Sequence, residues 1–203
     1  MNKKGTVYVV SAPSGAGKTS LLKAFMLKEH AHNCRVSVSH TTRAPRAGEI
    51  DGQDYFFVNH KTFKQIIAEN GFVEYAEVFN EYYGTSKQAI FDIISTGKDV
   101  ILEIDWQGTR QIKAAFPECF SIFIMPPSIE VLYQRLIKRG QDSKAVMERR
   151  MAEAVKEMSY VTEYDYMIIN NDFSTALDDL CAIFRAQSLK VDATIIHQIN
   201  PKK

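Results

Sequence analysis

The chain of 203 residues contains only three cysteines, Cys34, Cys119 and Cys181. Their number is odd and no pair has Cys-x-x-Cys spacing, which argues against a disulfide framework and against a zinc site. The pattern favours a reducing compartment, in which each thiol serves as a small core residue.

Long hydrophobic runs are missing as well. No stretch approaches the length of a transmembrane helix. Residues 1–4 precede only a four-residue apolar run, Val7–Val10, which is too short for a signal peptide. We therefore expect a soluble, cytoplasmic protein.

The chain also lacks an excess of charge of either sign. It has 25 Lys and Arg against 24 Asp and Glu, a net charge of +1, which argues against a broad nucleic-acid or membrane-surface role. Internal repeats and low-complexity segments are absent. The 45% hydrophobic content is enough for the core of a single domain with small insertions.

What the chain does contain is a phosphate-binding pattern near its start. The β-branched and aromatic run Thr6–Val10 predicts a buried strand, and a loop with Gly15 and Gly17 follows it. Apolar residues at helical spacing begin just after Lys18. Strand, glycine-bearing loop, Lys-Thr and helix form the P-loop arrangement. Ala12 replaces the first glycine of the strict pattern, which the loop tolerates if the φ of Ala12 is negative.

The P-loop predicts a site for the phosphates of a nucleoside triphosphate. Backbone N–H groups of the loop and the helix N-terminus bind phosphate oxygens, Lys18 reaches the outer phosphates, and the Thr19 hydroxyl is a ligand of Mg²⁺. The candidate ATP-binding residues of this loop are Ser14, Gly15, Ala16, Gly17, Lys18, Thr19 and Ser20.

After the first helix, strand and helix patterns alternate along most of the chain. This alternation predicts an α/β fold, with a parallel sheet and helices on both of its faces. Residues 35–86 interrupt the alternation and predict an inserted lobe. Thr62, Ser128 and Ser174 are the predicted caps of three helices.

The inserted lobe is rich in side chains that bind phosphate. Arg43 and Arg46 lie close together on one loop, and two guanidinium groups can hold a phosphate through bidentate bonds. Tyr55 and Tyr83 can each donate one hydrogen bond to the phosphate from the side-chain hydroxyl.

A second group in the lobe suits a purine base. Glu74 lies in the middle of a predicted strand, where its carboxylate can accept from a pair of N–H donors such as those of guanine. Ser39 and Thr85 can donate to the O6 or N7 acceptors of that base.

Four motifs together resemble guanylate kinases of the bacterial type. They are Ser-Ala-Pro-Ser-Gly-Ala-Gly-Lys-Thr at 11–19, Ser-His-Thr-Thr-Arg-Ala-Pro-Arg-Ala-Gly-Glu at 39–49, Tyr-Tyr-Gly-Thr at 82–85 and Glu-Ile-Asp-Trp-Gln-Gly at 103–108. The resemblance covers nearly the whole chain. It implies transfer of a phosphoryl group from ATP to GMP by direct in-line attack, with Mg²⁺ as cofactor, and we extend the expectation to dGMP.

The resemblance also implies a domain plan and a set of GMP contacts. A five-stranded core would comprise residues 1–34, 87–137 and 151–203, with the GMP-binding lobe at 35–86 and a lid at 138–150. Ser39, Glu74 and Thr85 would recognise guanine. The residues that would hold the GMP phosphate are Arg43, Arg46, Tyr55 and Tyr83. Glu49 would either orient the arginines or contact the nucleotide.

Two carboxylates follow one another at the end of a predicted strand, Asp99–Asp105. Glu103 and Asp105 are two residues apart, so they project to the same side, and ligands bind at the carboxyl ends of parallel strands. One of them is expected to hold a Mg²⁺-bound water. Asp105 is alternatively expected to help hold the guanine.

Three arginines follow in and beside the predicted lid. Arg135 and Arg139 share a helix face, and Arg150, rather than its neighbour Arg149, is expected to face the site. The resemblance places them over the ATP phosphates, where they stabilise developing charge. Arg150 is also expected to contact GMP, and Asn170 the adenine. The implied catalytic residues are Lys18, Arg43, Arg139 and Arg150. No general base is needed, since the acceptor is already a phosphate oxygen.

Two other functions were considered. A kinase for a different nucleoside monophosphate is disfavoured by Ser39, Glu74 and Thr85. A non-catalytic protein-binding module of the same fold is disfavoured by the intact Lys18 and Thr19. The oligomeric state stays open.

Overall fold

The computed structural model describes residues 5–78, 80–138 and 144–190. Within these ranges the strands and helices are, in chain order, β1 Val7–Ser11, α1 Lys18–Phe25, β2 Cys34–Val36, β3 His40–Thr41, β4 Phe56–Phe57, α2 His60–Ala68, β5 Phe72–Val78, β6 Glu81–Ser86, α3 Lys87–Ile94, β7 Asp99–Glu103, α4 Trp106–Ala115, β8 Phe120–Met125, α5 Ile129–Lys138, α6 Lys144–Ser159, β9 Tyr166–Ile169 and α7 Phe173–Ser188. None of the helices described has both the length and the apolarity that a bilayer crossing requires.

Five parallel strands form the central sheet, in the order β2-β7-β1-β8-β9. The strand β1 lies in the middle and pairs in parallel with β7 on one side and β8 on the other. This arrangement confirms the predicted five-stranded parallel sheet. The carboxyl ends of its strands lie along one edge, so the residues that follow β1, β7 and β9 come together there.

Alternate residues of β1 point into two hydrophobic layers. Tyr8 and Val10 belong to the layer that includes residues of α1 and α7, and Val7 and Val9 belong to the layer that includes residues of α3 and α4. Successive side chains of a strand project to opposite faces. Because helices cover both faces of the sheet, the strand is apolar throughout instead of alternating with polar residues.

A second sheet of four strands lies within residues 40–86, in the order β4-β3-β6-β5. The strands β5 and β6 form an antiparallel hairpin. The helix α2 packs on the sheet through Phe63, whose ring lies 4.5 Å from that of Phe72 and 5.4 Å from that of Tyr82. The strand β2, up to Val36, pairs with β7 in the central sheet. The separate sheet therefore begins after β2, a few residues past the boundary predicted at residue 35.

Ser128 accepts from the backbone N of Val131 at 3.2 Å, as predicted for the start of α5. The other two predicted helix caps differ from the observed ones. Asn59, not Thr62, caps α2, and its Oδ1 accepts from the backbone N of Thr62 at 2.8 Å. Asp172, not Ser174, caps α7 in the same way. Asn59 and Asp172 both have extended backbone angles, which lets a side chain turn back onto the first helical turn.

Candidate active site

The P-loop connects β1 to α1 at the carboxyl edge of the central sheet. Gly15 and Gly17 adopt the left-handed conformation, with φ of 94° and 97°, which glycine tolerates better than other residues. The backbone N of Ala16 donates to the carbonyl of Pro13 at 3.0 Å and closes the turn. Ala12 has a negative φ, so its methyl group leaves the loop unstrained. The loop leads directly into the first turn of α1, an arrangement suited to phosphate.

Two polar side chains support the backbone of this loop. Asn170, which is buried after β9, donates its amide N–H to the Ala16 carbonyl at 2.7 Å. Arg135 of α5 donates to the Asn170 carbonyl at 2.9 Å and lies 3.5 Å from the same Ala16 carbonyl. A Cβ atom at Gly17 would lie 2.4 Å from the Asn170 amide nitrogen. Asn170 and Arg135 therefore brace the P-loop, and their contacts with ATP stay a prediction.

Glu103, the last residue of β7, lies against the P-loop. Its Oε1 accepts from the Thr19 hydroxyl at 2.5 Å and lies 3.8 Å from the Lys18 ammonium nitrogen. The parallel pairing of β7 with β1 sets Glu103 opposite Val10, close to the start of the loop. A hydroxyl and a carboxylate side by side provide oxygen atoms of the kind that Mg²⁺ prefers.

Asp105 has a different environment from Glu103. Its Oδ1 accepts from the backbone N of Gly108 at 2.9 Å, and its Oδ2 accepts from the Gln107 amide at 3.1 Å. Asp105 therefore caps α4, and the predicted strand ends two residues earlier, at Glu103. The two carboxylates belong to different elements, one facing the P-loop and the other holding a helix.

Ser39, Glu74 and Thr85 form one buried chain of hydrogen bonds in the second sheet. The Thr85 hydroxyl donates to Glu74 Oε1 at 2.6 Å and lies 3.0 Å from the Ser39 hydroxyl. Glu74 is only 3% exposed. Burial raises the pKa of Glu74 to about 7, and the nearby charge of Asp105 adds to the rise, whereas the bond from Thr85 opposes it. A ligand with paired N–H donors would stabilise the charged form of this carboxylate, because its hydrogen bonds replace the hydration lost on burial.

The loop after β3 is held together by one ion pair. Arg43 donates from Nη2 to both carboxylate oxygens of Glu49, at 2.8 and 3.0 Å, and the backbone N of Arg46 donates to Glu49 at 2.7 Å. Burial alone would raise the pKa of Glu49, but these bonds outweigh it and hold the pKa below its ordinary value. The Arg43 guanidinium also lies 5.6 Å from the ring centre of Tyr55, which meets the ring of Tyr83 edge-on at 6.0 Å.

Electrostatic interactions connect the second sheet with residues near the P-loop. Burial raises the pKa of Tyr55 to about 12, and the negative charge of Glu103 contributes to the rise. Tyr55 belongs to the inserted segment and Glu103 to the central sheet, so this interaction joins the two parts of the chain. The charge of Asp105, at the start of α4, acts on Glu74 of the second sheet in the same way. The structure thus brings the candidate GMP residues beside the candidate ATP residues.

The predicted lid is described only in part. Arg139 lies outside the described residues, and its role stays a prediction. Arg150 on α6 is partly buried. Its neighbour Arg149 lines a cavity of about 280 Å³ together with Gln107 of α4 and Glu77 of β5. Arg149, which the sequence analysis set aside, therefore lines a cavity between α6, α4 and β5.

Glu157 on α6 was missed by the sequence analysis. Burial raises its pKa to about 7 against the opposing charge of Lys18, and Asp105 adds to the rise. Glu157 is therefore a poorly solvated carboxylate within electrostatic reach of the P-loop lysine. It lies in a helix with many charges, where it looks like a surface residue. The apolar spacing of Ala154 and Met158 on either side of it is the signal that marks this helix face as inward.

The chain is similar to guanylate kinases in each comparison with known proteins. A family model described as guanylate kinase matches residues 4–187. Over 188 residues the chain is 55% identical to the guanylate kinases of Escherichia coli (strain K12) and of Salmonella typhimurium (strain LT2), covering 93% of this chain and 91% of each relative. A crystal structure of guanylate kinase from Anaplasma phagocytophilum matches with a TM-score of 0.74 and 34% identity, over 93% of this chain and 89% of that one.

Proposed function

The chain belongs to the guanylate kinase family and catalyses the ATP-dependent phosphorylation of GMP to GDP, and from that premise we propose which residues bind each substrate. The guanine is recognised by Glu74, which accepts from its N1–H and N2–H₂ groups. Ser39 and Thr85 contact the O6 or N7 side of the base. The observation that carries this assignment is the buried hydrogen-bond chain that joins these three side chains.

The ATP phosphates lie on the P-loop, whose residues are Ser14, Gly15, Ala16, Gly17, Lys18, Thr19 and Ser20. We propose Mg²⁺ as the cofactor, held by the Thr19 hydroxyl with Glu103 through a water molecule. Support comes from the contact between the Thr19 and Glu103 oxygens, whereas Asp105 is engaged in capping α4. In residues 5–78, 80–138 and 144–190, no three His, Cys, Asp or Glu side chains gather into a metal cage. Mg²⁺ commonly takes only one or two protein oxygens beside phosphates and water. When bound with ATP, it neutralises phosphate charge.

The GMP phosphate is held by Arg43, Arg46, Tyr55 and Tyr83. Arg43 donates from Nη2 to Glu49 and from Nη1 to the Ala44 carbonyl at 2.6 Å. Glu49 therefore orients the guanidinium, whose five N–H donors exceed these contacts in number. Lys18 and Arg43 then approach the transferred phosphoryl group from its two sides. The lid contributes Arg139 and Arg150, with Arg135 and Asn170 supporting the P-loop and contacting ATP. Alignment and charge stabilisation suffice, since the acceptor oxygen needs no general base.

We further propose that the segment 35–86 serves as the GMP lobe and residues 138–150 as the lid. Both would close over bound nucleotides, because water entering the site would compete with GMP as acceptor. None of the proposed contacts involves the ribose 2′-hydroxyl. We therefore expect dGMP to be accepted as well.

A panel of nucleoside monophosphates, assayed for ADP formation, tests the assignment of the base site. Glu74→Gln keeps the size of the side chain, removes its charge and offers an amide N–H to adenine N1. We expect kcat/KM for GMP to fall by about 10²-fold or more, and the ratio of GMP to AMP activity to narrow. Glu118→Gln removes one negative charge from an exposed position between α4 and β8, so it is the control and should change little. An unchanged ratio in a folded Glu74→Gln protein would show that Glu74 does not recognise the base.

A further inference from the structure

Gly108 occupies a position where a glycine has no obvious local purpose. It lies in the first turn of α4, is buried, and its backbone N donates to the capping carboxylate of Asp105 at 2.9 Å. Its φ is not in the left-handed region. Glycine is a poorer helix former than alanine, so the helix alone gives no reason for it.

The reason lies in the neighbour that packs against this turn. A Cβ atom at Gly108 would lie 2.6 Å from Glu74 Oε2 and 3.2 Å from Glu74 Cδ. The first distance is too short for any real contact, so an alanine here forces something to move. The other near contact, 3.2 Å to Ile104 Cδ1, involves the end of an aliphatic side chain that can shift by a few tenths of an ångström.

The helix itself is not free to move away from Glu74. Gln111, three residues after Gly108, donates its amide N–H to the carbonyl of Tyr75 at 2.8 Å and accepts from the backbone N of Tyr75 at 3.2 Å. This pair of bonds fixes α4 to the strand residue next to Glu74. Any added atom at position 108 therefore displaces the carboxylate of Glu74, whose other oxygen is bonded to Thr85.

We propose that Gly108 is a positioning residue for base recognition. The missing side chain lets the Glu74 carboxylate lie directly against the first turn of α4, and this contact sets one side of its position, as the bond from Thr85 sets the other. The inference rests on the proposed role of Glu74 in binding guanine. It adds that guanine specificity depends on a glycine that touches neither substrate nor metal.

Gly108→Ala tests the proposal by separating folding from binding. The thermal midpoint should change by only a few degrees, because the helix preference of alanine offsets part of the cost of moving Glu74. The dissociation constant for GMP, measured by isothermal titration calorimetry, should rise by about 10- to 100-fold, since a shift near 1 Å in a binding group has effects of that order. The dissociation constant for ATP should stay within about threefold. A general distortion of α4 would instead lower the thermal midpoint and weaken both nucleotides.

Combining Gly108→Ala with Glu74→Asp provides the decisive control. Glu74→Asp shortens the side chain by one methylene and withdraws the carboxylate from position 108. In that background, adding Gly108→Ala should change GMP affinity by less than about threefold, although Glu74→Asp alone binds GMP less tightly than the wild type. Equal losses from Gly108→Ala in the two backgrounds would overturn the proposal. Unchanged GMP binding in the Gly108→Ala single variant would also overturn it. If Gly108→Ala fails to fold, recovery of folding by Glu74→Asp supports the contact, and failure to recover overturns it.

The same measurements keep this inference distinct from the assignment of Glu74. If Glu74→Gln leaves GMP binding unchanged, the base-site assignment fails whatever Gly108→Ala does. If Glu74→Gln abolishes GMP binding but Gly108→Ala has no effect, the base site stands and the role of Gly108 fails.

Discussion

Below pH 7, GMP binding is expected to weaken because Glu74 takes up a proton. Burial raises the pKa of Glu74 from its ordinary 4.5 to about 7, and the charge of Asp105 adds to the rise. At pH 6, about nine-tenths of the substrate-free protein then carries this proton. Guanine presents N1–H and N2–H₂ as donors, so binding needs the ionised carboxylate and must release the proton. Through this group, the GMP dissociation constant should rise by up to about tenfold per pH unit between pH 7 and 5.

The same shift makes the stability of the substrate-free protein depend on pH. The pKa of Glu74 is higher in the folded state than in the unfolded one, so folding favours the protonated form. Its contribution is fully present below pH 4.5 and is lost as the pH rises through about 7. The loss is about 3 kcal/mol for this group. Glu157, whose pKa is also raised to about 7, acts in the same direction. The thermal midpoint of Glu74→Gln should therefore fall less steeply from pH 5 to 8 than that of the wild type.

Calorimetry measures the proton release directly. GMP is titrated into wild-type protein and into Glu74→Gln at pH 6, in two buffers with different heats of ionisation. The phosphate of GMP titrates near pH 6 by itself, but it contributes equally to both proteins. The wild type should release close to one proton more than the variant. Equal proton release, or a difference that persists unchanged at pH 8.5, would refute the assignment of the raised pKa to a carboxylate that binds the base.

The remaining predictions concern the phosphate side of the cleft. Lys18→Ala should lower kcat by about 10³-fold or more, because the ammonium group neutralises charge on the transferred phosphate. The thermal midpoint should stay unchanged, since Lys18 does not pack in the core. Activity near that of the wild type would contradict the P-loop assignment. Asn170→Ala leaves the buried carbonyl of Ala16 without its donor and should destabilise the protein by about 2 kcal/mol, roughly 4–8 °C in a calorimetric scan. Glu49→Gln weakens the brace on Arg43 and should raise the KM for GMP about tenfold, with the KM for ATP unchanged; equal changes in both KM values would contradict it.

The central sheet and the P-loop were predictable because their signals are short in range. A strand buried on both faces requires an apolar run such as Val7–Val10, and the phosphate-binding turn requires Gly15 and Gly17 at left-handed positions. Gly97, which has a φ of 81° after α3, marks a helix end in the same way. Each of these features follows from the conformational demands of a few neighbouring residues.

Helix starts were harder to predict because several candidate caps stand next to one another. At α2 the sequence offers both Asn59 and Thr62, and at α7 both Asp172 and Ser174. Each is a residue type that caps helices. The choice depends on which residue has extended backbone angles, and the path of the preceding chain sets those angles. Local sequence does not contain that information.

The base site depended on contacts between distant parts of the chain. Ser39 and Thr85 are 46 residues apart, and their hydroxyls meet only because the two segments come together in the second sheet. Spacing along the chain does not bring Ser39 and Thr85 together. Their shared role was predicted only from the resemblance that the four motifs carry. Glu157 and Gly108 had no such guide. Glu157 is notable for its burial within electrostatic reach of Lys18. Gly108 is notable for its close approach to Glu74. Both features depend on the packing of segments that are distant in the sequence.

The segment from β7 into α4 links the two halves of the cleft. Its first carboxylate, Glu103, contacts the Thr19 hydroxyl on the ATP side. Two residues later Asp105 caps α4 and holds the backbone N of Gly108, the residue that lies against Glu74 on the GMP side. We therefore expect a change in the contacts of Glu103 to alter the position of Glu74, the proposed guanine acceptor, through residues 103–108. Glu103→Gln should consequently alter GMP affinity as well as ATP-dependent turnover. Arg135→Ala, which removes contacts with Ala16 and Asn170 and none within residues 103–108, should leave GMP affinity unchanged. Calorimetric titration with GMP, without ATP, measures the GMP affinity of each variant. Equal affinities in the two variants would show that residues 103–108 do not couple Glu103 to GMP binding.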